Sequence, residues 1–160
     1  MSRMKMKLIA AGVLVGCTLG FVALKVALAT PQQGVTTTIL TGGPISLDEI
    51  DILPNSQGHK VKFKTKGVSD LYIVRNVIAP GGHTGWHSHP GPSIISVVAG
   101  EATAYEGDDP EGIVHSAGTA FVDTGDHAHI IRNEGTVSLE LIAFQILPED
   151  ALRRIDEPQP

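Results

Sequence analysis

Short β-prone segments follow one another along most of the chain after residue 30, and this succession limits the folds that are open to it. The segments are rich in β-branched and aromatic residues, and clusters of Gly, Asp, Asn or Pro separate most of them. They cover residues 35–40, 60–64, 71–78, 93–99, 102–105, 113–115, 119–122, 128–132 and 137–147. The only helical candidates in this part are the short segments 47–52 and 149–155. Many short strands joined by regular turns predict an all-β sandwich or barrel.

Residues 1–29 differ in composition and are typical of an export leader. Three basic residues lie among the first seven, residues 8–24 form a charge-free and mostly apolar run, and Ala27 and Ala29 supply a small-x-small ending. The pattern predicts a hydrophobic leader helix that is cleaved as a signal peptide. The apolar run is near the lower limit for a membrane span, so membrane attachment through residues 8–24, as a retained inner-membrane anchor, is an alternative. A third interpretation is a lipoprotein, because the sequence Leu-Val-Gly-Cys that ends at Cys17 resembles a bacterial lipoprotein box.

All three interpretations place residues 30–160 in the periplasm or otherwise outside the cytoplasm. Cys17 is the only cysteine, so the body offers no disulfide framework, no thiolate ligand and no cysteine nucleophile. The four cations of the leader are Arg3, Lys5, Lys7 and Lys25, and without them the formal charge changes from −5 to −9. An acidic body argues against nucleic acid as a partner. The length fits one domain over residues 30–160, with its core in residues 60–147.

Three histidines form the part of the sequence that can carry chemistry. His87 and His89 are separated by one residue, and on a β-strand such residues point to the same face. His129 lies in a later segment, and a third imidazole from there would complete three ligands for a divalent transition metal. Such a set leaves coordination positions open for a small-molecule substrate. The sequence leaves open whether the metal is iron, manganese or zinc.

The spacing of these histidines and of the glycines around them resembles the two motifs of the cupin family. The first motif is matched by Gly81, His87, His89 and Gly100, and the second by Gly118, His129 and Asn133. The short link between the motifs is typical of small, single-domain bacterial cupins. The resemblance implies a cupin jelly-roll β-barrel that binds a metal through His87, His89 and His129.

The sequence departs from the cupin pattern at three positions. The glutamate ligand that the family places four residues after the second histidine is replaced by Ser93. Thr124 stands where proline is usual and Asp126 where glycine is usual, so we expect Gly125 to take the special backbone geometry of that turn. Without the glutamate, the predicted site is three neutral imidazoles around an ion that keeps its full charge. That ligand set is similar to the three-histidine cupin oxygenases, such as acetylacetone dioxygenase and cysteine dioxygenase.

The resulting hypothesis is an exported metal-binding cupin that acts as a dioxygenase on a small anionic or chelating substrate. Ser93 is a candidate hydrogen-bond partner of the substrate, His127 the one candidate acid or base, and Ile95 and Val97 candidate pocket walls. A metal-dependent isomerase or hydrolase, and a non-catalytic cupin that binds a metal or small ligand, are alternatives. A further alternative is a cupin barrel that has lost its metal, in which the three histidines are ordinary polar residues at the mouth of the barrel.

The segment at 93–99 is apolar on both strand faces. Ile95 and Val97 lie on one face of this strand, whereas Ile94 and Val98 lie on the other face. A sheet that is buried on one side needs only one apolar face, so part of this surface is expected to be covered by a second subunit. Dimers are common among cupins, and a homodimer is therefore predicted. Burial of the outer face by terminal segments of the same chain is the alternative.

Overall fold

A computed structural model describes residues 28–46, 50–52, 61–63, 65–107, 109 and 111–160. Residues 1–27 of the predicted leader and residues 47–49 of the helical candidate at 47–52 lie outside these residues. Residues 50–52 form a strand that pairs with residues 61–63, so the prediction of a helix is wrong for that half of the candidate. The described part contains twelve strands and no helix, and so no helix there is long and apolar enough to cross a membrane. The strands are β1 Gln33–Ser46, β2 Ile50–Ile52, β3 Val61–Phe63, β4 Val68–His83, β5 His87–Ser88, β6 Ser93–Ala99, β7 Glu101–Glu106, β8 Ile113–Ser116, β9 Ala120–Asp123, β10 His129–Arg132, β11 Leu139–Pro148 and β12 Ile155–Asp156.

Nearly all the strands belong to one antiparallel sheet that curls into a jelly-roll barrel. Its main path runs β12-β5-β10-β4-β11-β6-β9, with β1 paired to β4 and β7 paired to both β10 and β8. The strands β2 and β3 form a separate pair. The prediction of an all-β jelly roll is therefore confirmed, and each of the nine predicted segments contains or overlaps a strand.

The alternation of apolar and polar residues decides which strand face is buried. In β6, Ser93, Ile95 and Val97 are buried, whereas the residues between them are exposed. In β11 every second residue from Leu139 to Leu147 is buried. The two strands pair in register, so their buried rows form one continuous wall of the core. Part of this wall also faces the histidines.

The segment after β11 is not helical, and the prediction of a helix over residues 149–155 is wrong. Asp150 has a φ of 59°, which a right-handed helix does not allow, and its amide donates to the carboxylate of Asp70 at 3.0 Å. Residues 149–150 form a turn, and β12 begins at Ile155.

The C-terminal end is tied to the barrel by strand pairing and hydrogen bonds. The strand β12 pairs with β5, so the tail lies along the strand that carries His87. Glu157 donates its amide to the carbonyl of Trp86 at 3.0 Å, and its carboxylate accepts from the Ser88 hydroxyl at 2.7 Å. We call residues 149–160 the C-terminal strap.

Candidate metal centre

The three sequence-predicted histidines meet at one end of the barrel. His87 on β5 pairs directly with His129 on β10, and their ring centroids lie 4.3 Å apart. His89, which follows β5, brings its ring to 5.0 Å from that of His129 and 6.2 Å from that of His87. His89 and His129 are buried, and His87 is half-buried. The spacing of the two motifs thus predicts the convergence of the rings.

Each of the three rings is held by the backbone in the same way. In His87, His89 and His129 the Nδ1 atom lies 2.6–3.0 Å from the carbonyl oxygen of a residue two positions away. A carbonyl oxygen only accepts, so Nδ1 must carry the proton and donate it. In a neutral ring the other nitrogen, Nε2, then keeps a free lone pair. All three histidines are thereby set in the tautomer that a metal ligand of the Nε2 type requires.

A carboxylate that the sequence analysis missed lies among these nitrogens. The Oδ2 atom of Asp123 is 3.0 Å from Nε2 of His89 and 2.8 Å from Nε2 of His129. Its other oxygen accepts from the amide of Gly125 at 2.8 Å, which fixes the side chain. The prediction of three neutral imidazoles with no carboxylate is therefore not confirmed. The local signal for Asp123 is weak: it directly follows the β-prone segment 119–122 and precedes the altered turn at Thr124.

The cluster of possible ligand atoms consists of His89, Asp123 and His129, whose donor atoms all lie within 4.8 Å of one another. His87 is not part of that cluster, although its ring is close to His129. The short distances within the cluster fit a shared cation, because two ligands at about 2.1 Å and roughly at right angles are about 3 Å apart. Where the rings are neutral, two Nε2 lone pairs face a carboxylate oxygen, and such an arrangement is repulsive without a cation or protons between them.

The electrostatics of the site follow from burial and from this carboxylate. Burial lowers the pKa of His89, but the hydrogen bond and charge of Asp123 outweigh it, so the pKa is raised above its ordinary value. Burial alone would raise the pKa of Asp123, yet hydrogen bonds that His129 and His89 donate from Nε2 when that atom carries a proton hold the pKa well below its usual range. Burial, followed by the nearby His129 and Arg154, lowers the pKa of His87 to about 3. His87 is therefore neutral near pH 7.

A chain of hydrogen bonds leads from the histidines to the C-terminal strap. Ser93 is almost fully buried, and its Oγ lies 3.3 Å from Nε2 of His89. Gln145 on β11 donates to that hydroxyl at 3.0 Å, and Arg153 donates from Nη1 to Oε1 of Gln145 at 3.3 Å. The serine that replaces the family's glutamate is thus held in place next to a histidine.

A cavity of about 40 Å³ lies between these groups. Its polar lining includes the three histidines and Asp123, and its apolar lining is formed by Ile95, Ile131, Leu141 and Ala143. Ile95 therefore lines the cavity as predicted. Val97 instead packs in the hydrophobic core with 1% exposure, since it lies one pleat further from the histidines along β6.

His127 is not brought to the cavity. Its side chain is 70% exposed and points towards the carboxylate of Asp126, with 3.8 Å between the nearest nitrogen and oxygen. Its backbone carbonyl, rather than its imidazole, reaches the site by accepting from Nδ1 of His129. The turn before β10 separates the two side chains, so the period of two that holds along a strand does not hold here.

Comparison with known proteins gives the fold a family. Residues 74–144 match the family model described as the cupin domain. A solved cupin-2 domain protein from Rhodospirillum rubrum is 15% identical and has a TM-score of 0.53, over 81% of this chain and 73% of that chain. At this identity the match concerns the fold alone.

Two further solved structures cover a smaller share of the chain and have lower TM-scores. A conserved protein with a double-stranded β-helix domain from Klebsiella pneumoniae is 22% identical, with a TM-score of 0.47 over 54% of this chain and 75% of that one. The Cupin_2 domain of an XRE family transcriptional regulator from Enterobacter cloacae is 16% identical, with a TM-score of 0.45 over 72% of this chain and 97% of that one. A search of curated proteins finds no match.

Proposed function

Since this chain carries a cupin domain folded as a jelly roll, we propose that it is an exported metal-binding cupin that acts on a small anionic or chelating substrate. His89, His129 and Asp123 would hold a divalent transition metal, and His87 would supply a fourth ligand. When bound, the ion supplies Lewis-acid chemistry and, if it is iron, redox chemistry. The leading reaction class is a dioxygenase, in line with the histidine-rich ligand set.

One observation carries this proposal: acceptor atoms converge at a place where a cation would satisfy all of them. The Nδ1 protons of His89 and His129 are committed to backbone carbonyls, and their Nε2 atoms share one oxygen of Asp123 at 3.0 and 2.8 Å. A buried carboxylate that faces two neutral rings is costly unless a positive charge lies with it. A divalent ion would meet that need, since imidazole nitrogen and carboxylate oxygen are common ligands of zinc, manganese and iron.

The residues around the cluster prepare it for a substrate. The apolar cavity walls exclude bulk water, which strengthens every polar contact in the site. Ser93, held by Gln145, can donate its hydroxyl proton to an oxygen of a bound molecule. His87 stays neutral near pH 7 and therefore keeps a lone pair for the ion. Among the described side chains in the cavity, the candidate bases are these histidines and Asp123, and His127 is left out of the mechanism because its imidazole is exposed.

The metal content of the protein tests this proposal. We would purify the full chain from the cell fraction in which it accumulates, and measure bound metals in the wild type, His89→Ala and Asp123→Asn. Asp126→Asn is the matched control, because Asp126 is an exposed carboxylate three residues further along the chain. We expect about one divalent ion per chain in the wild type and the control. A loss of affinity of at least about 100-fold is expected in the two site variants, which is more than removal of an outer partner causes.

Oxygen uptake separates the reaction classes. Iron together with oxygen consumption on small carboxylates or β-dicarbonyls would support a dioxygenase. Turnover without oxygen, with zinc or manganese, would favour an isomerase or hydrolase, and metal without turnover a binding protein. A wild type that takes up no metal, or an Asp123→Asn variant that binds it as the wild type does, would contradict the proposed centre. Recovery in the cytoplasmic fraction would contradict export.

A further inference from the structure

We propose that Arg153 on the C-terminal strap is the anion-binding residue of the cavity, and that it selects a small carboxylate as the substrate. This inference rests on the proposed function and gives its substrate a chemical class. The carboxylate of Asp123 lowers the net positive charge that a bound divalent ion would present. A preference for anions must therefore have another source, and Arg153 is the cationic side chain that lines the cavity.

Arg153 is held at the cavity by the pairing of the strap. The strand β12 begins two residues after Arg153 and pairs with β5, the strand of His87. The guanidinium reaches Gln145 with Nη1, and Gln145 in turn reaches Ser93. Three hydrogen bonds of 3.3, 3.0 and 3.3 Å thus connect the guanidinium with Nε2 of His89. The guanidinium and the cluster also line the same cavity, so a molecule bound there lies between them.

The charge of Arg153 has no partner of opposite sign in the described part of the chain. Two other arginines there are paired: Arg154 with Asp156 at 2.6 Å and Arg75 with Glu140 at 2.7 Å. Arg153 is half-buried, it donates a hydrogen bond to the neutral amide oxygen of Gln145, and burial lowers its pKa from the ordinary value. A partly desolvated guanidinium without a counter-ion is costly. A carboxylate ligand would supply that counter-ion.

The shape of the guanidinium and the size of the cavity narrow the ligand further. A guanidinium has five N–H donors in a planar fork, which matches the two oxygens of a carboxylate. The cavity volume of about 40 Å³ admits only a small ligand. We therefore infer a carboxylate of a few heavy atoms that bears a second oxygen donor for the metal side of the cavity. Pyruvate, a 2-oxo carboxylate, is a suitable probe, and its methyl ester is the neutral counterpart.

The test measures pyruvate binding through a spectrum rather than through turnover. The full chain is loaded with cobalt(II), and the change in its visible absorption on addition of pyruvate gives a Kd. We expect Arg153→Gln to weaken pyruvate binding by at least about tenfold, with partial recovery in Arg153→Lys, because lysine keeps the charge but not the fork. Binding of methyl pyruvate should be equal in the wild type and Arg153→Gln.

Two controls separate a specific contact from a general effect of charge. Arg154→Gln removes the same charge from the adjacent residue, which is paired with Asp156. Arg75→Gln removes it from a side chain on β4 that is paired with Glu140 and does not line the cavity. Arg75→Gln should bind pyruvate within about threefold of the wild type, because screened charges without direct contact contribute little. Arg154 lies near His87, but Asp156 pairs with its charge, so Arg154→Gln should weaken pyruvate binding less than Arg153→Gln does. An Arg153→Gln variant that binds pyruvate as the wild type does would overturn the proposal. An Arg154→Gln variant that is weakened equally would overturn it too.

Anion binding by Arg153 can also be tested if the protein binds no metal. If the wild type takes up no cobalt, the proposed centre fails, and pyruvate is titrated against the metal-free protein with Tm as the readout. A rise in Tm that requires Arg153 supports anion binding by the strap. A rise that is equal in Arg153→Gln, or no rise at all, overturns it.

Discussion

Ser93 and Asp123 are direct partners in the antiparallel pair of β6 and β9, and both side chains reach the ring of His89. Partners across an antiparallel pair point to the same face of the sheet. The cupin motif places a carboxylate where this chain has Ser93. In this structure the carboxylate next to His89 comes from the neighbouring strand β9.

This pairing predicts that a carboxylate introduced at position 93 can partly replace the carboxylate of Asp123. Asp123→Ser should lower the affinity for zinc or manganese by at least about 100-fold, since it removes a direct partner of two histidines. Adding Ser93→Asp should recover at least about tenfold of that loss, because the new carboxylate starts from a position 3.3 Å from Nε2 of His89. Metal titration of the single and double variants measures both effects. Ser96→Asp on the exposed face of β6 is the control for added charge and should recover nothing. Equal metal affinity in the double variant and in Asp123→Ser would show that a carboxylate at position 93 cannot replace that of Asp123.

Local pattern was enough to predict most of the fold. The period of two in β6 and β11 identifies their buried faces, and the turn residues between the segments identify their ends. The convergence of His87, His89 and His129 was predictable because motif spacing fixes both register and parity. Gly125 takes a φ of 83°, as the displaced turn residues predicted.

The features that sequence analysis missed depend on contacts between residues that are distant in the chain. Asp123 belongs to the site only because β9 pairs with β6 in one particular register, and no local period shows that register. The strap carries Arg153 to the cavity only because β12 pairs with β5, some 68 positions earlier in the chain. The helix expected at 149–155 failed for the same reason, since the link between Asp150 and Asp70 outweighs local helix propensity.

Gly125 predicts a second experimental outcome, because its α-hydrogen faces the backbone and ring of His89. A Cβ at this position would overlap Nδ1 of His89, whereas a Cβ at Gly118, which has a similar φ of 84°, would meet nothing within 4 Å. Gly118→Ala should cost about 1–3 kcal/mol of stability for the left-handed backbone alone and leave metal affinity unchanged. Gly125→Ala should cost more and lower metal affinity at least about tenfold, since His89 must shift. Thermal unfolding and metal titration of both variants check this, and equal behaviour of the two would contradict it.

The low pKa of His87 predicts acid sensitivity of the metal-free protein. The folded state keeps His87 neutral down to about pH 3, whereas the unfolded chain takes up a proton near pH 6.5. The unfolded state therefore binds more protons between these values, and stability falls as the pH is lowered from 6.5 towards 3. His87→Asn lacks this effect. Between pH 7.5 and 4.5, in the presence of a chelator, Tm should fall further in the wild type than in the variant, by at least about 2 °C. Parallel curves would show that His87 is not held neutral by burial.

For the predicted homodimer, we propose an apolar row on the outer face of the barrel as the interface. Val122, Ile94, Phe144 and Ile73 are successive cross-strand partners on β9, β6, β11 and β4. Val122 and Ile94 are 62% and 43% exposed, and a groove of about 580 Å³ lies beside them. Apolar rows of this kind on a sheet face are costly in water. A second copy of the chain presents the same row and can cover it by two-fold symmetry.

Substitution in this row should convert the dimer into a monomer without unfolding it. Ile94→Asp places a charge at the centre of the proposed interface, where desolvation without a partner is costly, and should weaken association by at least about 100-fold. Val137→Asp is the matched control, because Val137 is also 62% exposed but lies in the turn before β11. Sedimentation over a range of protein concentrations gives the association constant, and circular dichroism confirms that both variants fold. A wild type that stays monomeric at about 100 µM would show the homodimer prediction to be wrong. A dimer that survives Ile94→Asp would place the interface on another face of the barrel.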